Sequence, residues 1–212
     1  MKPYRFLLIA LFSFSFISSN GQFFAGGNIQ LNSSNAKTRY ANDLTHDAAN
    51  FSFTVSPIIG TFLSEKLALG LELNLALSRN KTGVSTETIS KNSTIGGSPF
   101  IRYYAWTRKK FSVFGQGNVG LEFIRSSQEQ GNSTIDGPKE TRVYVSIYPG
   151  LSYDLTDKLS FQTSLNFLSI GYNYFTSKDD SFKESSSSFN FGTGLGNIIS
   201  IGSITIGAIY KF

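Results

Sequence analysis

From Leu67 to Leu77 every second residue is leucine, and between them stand Ala68, Gly70, Glu72, Asn74 and Ala76. A period of two marks a β-strand with one oily and one polar face, whereas a helix brings together residues three and four apart. Few folds can use such a strand. Its oily face has to be covered and its edges have to be paired.

The same alternation recurs along the chain. It predicts eight strands, at 22–31, 50–60, 66–79, 94–105, 111–125 and 142–154, a seventh starting at 158, and an eighth that starts within 189–201 and ends at Phe212. Phe51, Phe53, Val55 and Ile59 form the apolar face of the second; Val143, Val145, Ile147, Leu151 and Tyr153 form that of the sixth. These faces carry no charge. The opposite faces hold Gly, Ser, Asn and Gln, with Glu72, Arg102 and Glu122 among them. The composition of 20 Gly, 20 Phe and 10 Tyr against one Met and one Trp suits strands and turns.

The connections alternate in length. Residues 61–65, 106–110 and 155–157 make short ones. Residues 32–49, 80–93, 126–141 and 173–188 make long ones, rich in Ser, Asn, Thr, Lys and Asp as loops are. In an antiparallel meander this places all long loops at one end. Pro57, Pro99 and Pro149 each precede a short turn by a few residues. Proline removes a ladder donor, so the repeat predicts a bulge near that rim. The fold class is all-β, an eight-stranded antiparallel up-and-down barrel.

Alternation alone leaves open which face is inside. A lipocalin is also an eight-stranded barrel, with an apolar cavity and a polar exterior. Here the polar face is built of small residues that suit a narrow lumen, and an uncharged apolar face on every strand suits lipid. The expectation is a transmembrane barrel with its oily side out.

Both chain ends agree. Lys2 and Arg5 precede an apolar run from Phe6 to Ile17, followed by Ser18-Ser19-Asn20-Gly21. That is the layout of a secretory signal peptide over 1–21, with the barrel domain in 22–212. The run is shorter than the ~20 residues a spanning helix needs. No cysteine is present, which excludes a disulfide framework and a lipidated N-terminal Cys. Losing Lys2 and Arg5 lowers the net charge from +5 to +3, too little to imply nucleic acid. At the other end Ile204, Ile206, Ala208, Tyr210 and Phe212 alternate up to the final residue. A terminal strand closing on Phe with Tyr two residues earlier resembles the sorting signal of Gram-negative outer-membrane barrels, which makes Tyr210 and Phe212 its candidate residues.

The signal, the turn Leu63-Ser-Glu-Lys-Leu-Ala-Leu-Gly70, the segment Ser98-Pro-Phe-Ile-Arg-Tyr-Tyr104 and the terminal Tyr210-Lys-Phe212 resemble the small outer-membrane β-barrel family, in the versions common in Bacteroidota. The architecture is similar to OmpX- and OmpA-type barrels. The resemblance implies an outer-membrane location, contact with outer-membrane lipid, and export with periplasmic chaperones and the barrel-assembly machinery.

With the oily side out, Glu72, Arg102 and Glu122 point into the lumen. Buried charges are costly unless paired. They are expected to form a structural cluster, Arg102 meeting Glu72 with Glu122 sharing the guanidinium, supported by Gln116, Gln162, Asn166, Tyr144 and Tyr148. Tyr103, Tyr104, Trp106, Tyr153, Tyr210 and Phe212 are expected in one interfacial girdle, and Tyr40, Phe123, Tyr172, Tyr174 and Phe175 in the other. The only histidine, His46, lies near Asp43 and Asp47, too few partners for a catalytic triad or a metal site. No catalytic, cofactor-binding or metal residues are assigned. The expected function is a non-enzymatic structural or surface-interaction role, with an extracellular ligand at the loops. The alternative is a narrow porin-like transporter of small solutes or ions.

Overall fold

The computed structural model describes residues 21–39, 45–83, 87–131, 133–165, 170–178, 183–191 and 204–212. The signal-peptide assignment falls almost wholly outside them, as do Tyr40, Asp43 and Asn166. The described strands are β1 (Phe23–Arg39), β2 (Thr45–Ser64), β3 (Leu67–Gly83), β4 (Thr88–Arg108), β5 (Phe111–Gln130), β6 (Ser133–Asp154), β7 (Leu159–Leu165), β8 (Ile170–Lys178), β9 (Lys183–Phe191) and β10 (Ile204–Lys211). Every pairing is antiparallel.

The sheet closes on itself through the β5–β6 and β1–β10 pairings. One circuit shows it. Leu151 pairs with Thr163, Thr163 with Ile206 and Ile206 with Ile29. From Ile29 the row continues through Val55, Leu75, Ile95 and Phe123 to Thr141, back on β6 and ten residues from its start. Eight strands with a shear of ten tilt by about 40° from the barrel axis. The leucine row from Leu67 to Leu77 then rises about 25 Å along that axis, the height of a transmembrane barrel's apolar belt.

The seventh and eighth barrel strands are each described over two segments, β7 with β8 and β9 with β10. β7 pairs with the end of β6 and β8 with its start. Between the pairs Ile147–Ile170 and Gly150–Ser164, β6 advances three residues and its partner six, a register shift of three. β9 continues the eighth strand above β10, paired to β8.

The expected long loops are largely strand. The β1–β2 hairpin stays paired out to Arg39 and Thr45, β3–β4 to Thr82 and Thr88, β5–β6 to Gln130 and Ser133, and β8–β9 to Lys178 and Lys183. The tract Ser185–Ser188, expected as a loop, is part of β9. These segments stand above the apolar belt with water on both faces. Nothing there demands an oily face, so the period-two signal vanishes while the backbone pairing persists.

Pro57 and Pro99 themselves sit in unshifted register, whereas Pro149 lies where the β6 ladder shifts between Ile147 and Gly150. The β2–β3 ladder skips from Val55–Leu75 to Ile58–Glu72, and β4–β5 from Gly97–Leu121 to Phe100–Asn118, each resuming in the same register. Pro57 and Pro99 point their missing donor at the following strand, which simply loses a rung. Register shifts do recur at the short-turn rim, at Phe62/Ser64 and Tyr104/Trp106, each five residues after its proline, as the repeat predicts; a further one lies at Arg125/Ser127.

Candidate functional site

The outer wall is apolar and exposed: Ile29, Leu71, Leu75, Ile95, Val119, Leu121, Phe123, Val145, Ile147 and Ile206 all face away from the lumen. Exposed aromatics flank the belt, with Phe23, Tyr103, Trp106, Tyr153, Tyr210 and Phe212 towards the short turns and Phe51, Phe123, Tyr172, Tyr174 and Phe189 towards the other end. Two residues expected in these girdles point inward. Tyr104 is buried, and Phe175 lies 5.7 Å from the Arg142 guanidinium.

The lumen is filled from the short-turn end upward. Its floor is a row of rings: Phe24 to Phe62 at 5.1 Å, Phe62 to Tyr104 at 5.8 Å and Tyr104 to Phe114 at 5.7 Å between centroids. Ile58, Phe100 and Ile209 complete it. Glycines across the ladder make room for the rings. A Cβ at Gly60 would lie 2.4 Å from Phe24, at Gly70 2.4 Å from Phe100, and at Gly150 2.2 Å from Phe114. Each glycine is the direct cross-strand partner of the ring it admits, a pairing that lets an aromatic cover the bare backbone.

Arg102 lies on this floor, 1 % exposed and 4.4 Å above the Phe114 ring centroid. Among the described residues no carboxylate contacts it. Its Nε and Nη2 donate to Gln116 Oε1 at 2.9 and 2.6 Å, and its Nη1 donates to Gln162 Oε1 at 2.7 Å. Two amide oxygens and an aromatic face therefore hold the cation. Gln162 Nε2 donates on to Asn28 at 3.2 Å, and Gln116 Nε2 to Tyr148 at 2.7 Å, Asn118 at 3.0 Å and Glu72 Oε2 at 3.3 Å. The network ties β1, β3, β4, β5, β6 and β7 together across the lumen.

Glu122 does not share Arg102. It pairs with Arg142, its cross-strand neighbour on β6, and accepts a hydrogen bond from Asn74 Nδ2 at 2.5 Å. Arg142 in turn lies 5.5 Å from the Tyr144 ring centroid. The three expected charges thus sit in two separate layers, and the sequence reading missed Arg142. Hairpin register fixes such a pair, and the β5–β6 turn was hidden inside a long polar stretch. Between and above these layers is a polar cavity of about 350 Å³, lined by Asn28, Glu72, Asn74, Glu122, Arg142 and Tyr148 among others. At the short-turn rim Lys211 Nζ contacts Asp154 Oδ1 at 3.0 Å.

No protein-family model matches the chain, and no curated protein sequence does. Solved structures do resemble it. OprG of Pseudomonas aeruginosa, an outer membrane protein, superposes with a TM-score of 0.53 at 11 % identity over 91 % of this chain and 96 % of that one. The fold is that of a small outer-membrane β-barrel. Neisserial surface protein A also matches, at 18 % identity and a TM-score of 0.39 over 90 % of this chain and 97 % of that one. So does the outer membrane protease OmpT of Escherichia coli, at 9 % identity and 0.41 over 90 % and 97 %.

In this barrel Tyr210 and Phe212 close the ring beside β1. Phe212 N donates to Phe23 O at 2.9 Å, and the Tyr210 and Phe212 rings meet edge-on at 5.3 Å. His46 pairs with Thr38 in the upper β1–β2 ladder. Among the described residues no three His, Cys, Asp or Glu side chains gather as metal ligands.

Proposed function

We propose that this chain is a non-enzymatic outer-membrane barrel whose lumen is closed and whose dealings with other molecules take place on its projecting hairpins. The observation that carries this reading is Arg102. A buried cation held by Gln116 on β5 and Gln162 on β7, above a floor of four packed rings, occupies a lumen that eight strands leave narrow. On this reading, water and ions pass only by breaking those bonds.

The hairpins give the chain its outward face. β1–β2, β3–β4, β5–β6 and β8–β9 rise above the apolar belt as paired, polar strands, a stiff surface on which an extracellular ligand could dock. Export removes residues 1–21, and periplasmic chaperones and the barrel-assembly machinery receive the chain through Tyr210 and Phe212. A second reading, transport of a small polar solute, is favoured by the 350 Å³ cavity, beside which Asn74 Oδ1 and Arg142 Nε are buried with no protein partner. Conductance across planar bilayers separates the two: a closed lumen passes no steady current, and a pore does.

A further inference from the structure

The outer wall carries a furrow where the apolar belt ends on the side away from the chain termini. Its lower part, of about 790 Å³, is lined by Phe53, Val55, Leu75, Leu77, Ile95 and Phe123 together with Arg125. Its upper part, of about 400 Å³, is lined by Phe51, Leu77, Arg79, Lys91, Arg125 and Asp136, among others. The two parts share Leu77, Ser93 and Arg125, so they form one continuous depression. The register explains it. Phe53, Leu77, Ser93 and Arg125 stand side by side on β2 to β5, all facing out, and Ser93 is the small one. Arg79 pairs directly with Lys91 one row above.

The outward positions of this rim are rich in cations. Above the belt on β3 to β6 the outward positions hold Arg79, Lys81, Lys91, Arg125 and Lys139. On β8 the row continues with Lys178, which pairs with Lys139. Lys91 is paired with Glu129 and Lys81 with Glu87, and Asp136 stands at the top of the furrow. Arg79 and Arg125 have no acidic partner among the described residues. With strands tilted about 40°, moving two strands along a row raises the rim about as much as moving two residues up one strand. Arg79 and Arg125 therefore stand level, two strands apart, on either side of Ser93.

An oily furrow capped by two level guanidinium groups, at the height where hydrocarbon gives way to headgroups, has the chemistry of an amphiphile's footprint. Guanidinium groups bind phosphate oxygens in pairs. We infer that the β3–β5 face binds a phosphate-bearing lipid of the outer leaflet, its phosphate on Arg79 and Arg125 and its acyl chain along Leu77, Ile95 and Phe123. The binding surface is external and does not depend on whether the lumen conducts.

The test is native mass spectrometry of the refolded barrel in detergent, titrated with bisphosphorylated lipid A, with its dephosphorylated form, or with inorganic phosphate. The wild type should retain the phosphorylated lipid. The variant Arg79→Gln/Arg125→Gln should hold it about tenfold more weakly, as loss of charge-assisted hydrogen bonds predicts. Ser93→Phe, which fills the furrow and keeps both cations, should also weaken it. Arg108→Gln, on the opposite rim, should not. Equal retention of the dephosphorylated lipid, displacement by inorganic phosphate alone, or an equal loss with Arg108→Gln would overturn the assignment. Heat-modifiable gel mobility confirms that each variant has folded.

Discussion

The guanidinium of Arg102 reaches Glu72 only through the amide of Gln116. That amide accepts from Arg102 Nη2 at 2.6 Å on one side and donates to Glu72 Oε2 at 3.3 Å on the other. One neutral, two-faced side chain thus separates these two charges. Direct contact would have needed two desolvated ions in register; the glutamine satisfies both with less constraint.

Removing Arg102 should strand the oxygens of Gln116 and Gln162. Arg102→Met is expected to destabilise the barrel by about 1–3 kcal/mol for each acceptor left buried and unpaired. In a double-mutant cycle the Arg102–Glu72 coupling should fall when Gln116→Leu is the background, since the hydrogen-bonded link runs through that amide and only the through-space attraction is left. Urea refolding in lipid vesicles measures both. Coupling left unchanged by Gln116→Leu would mean that the amide carries none of it.

The glycine–ring pairs make a sharper stability test. Gly150→Ala would put a methyl 2.2 Å from Phe114 Cζ, and that ring is pinned between Arg102 and Tyr104. The expected cost is about 1–3 kcal/mol. Gly115→Ala, on the same ladder with nothing within 4 Å of the new atom, should be neutral or slightly stabilising. Equal costs at both positions would show that the rings do not set the glycines.

The strands and their facing were legible in the sequence because lipid on one side and a packed lumen on the other impose strict alternation. Leu67 to Leu77 is the clearest case. The hairpin extensions were not legible, since at residues such as Ser185 to Ser188 both faces meet water. The floor left a signal that was passed over. Phe23-Phe24, Ile58-Ile59, Phe100-Ile101 and Ile209-Tyr210 put two apolar residues side by side, one for lipid and one for the lumen. The lumen charges could be placed on the inner face, but their partners depend on register, which alternation does not encode. Arg142 is the instance.

On the lipid face, Leu71→Arg should cost about 2–4 kcal/mol in vesicle refolding, because Leu71 sits in the belt between Leu67 and Leu77. Asn74→Arg points into the cavity beside Glu122 and should act by packing and charge there, without contact with lipid. A negligible cost for Leu71→Arg would reverse the facing of the whole wall.

Deleting Phe212 should impair assembly. It removes the ring that packs on Tyr210 and the last hydrogen bond to Phe23. The expected outcome is less heat-modifiable protein in outer-membrane fractions and more in the periplasm. Unchanged fractions would remove Phe212 from the sorting signal.

Single-channel recording of the refolded barrel in planar bilayers tests the closed lumen most directly. The wild type should show no stable current steps. Arg102→Ala combined with Phe114→Ala, which clears the cation and the ring beneath it, should open a path. Steady ohmic steps in the wild type, with an ion selectivity that changes in Arg102→Ala, would contradict the closed barrel and make it a pore.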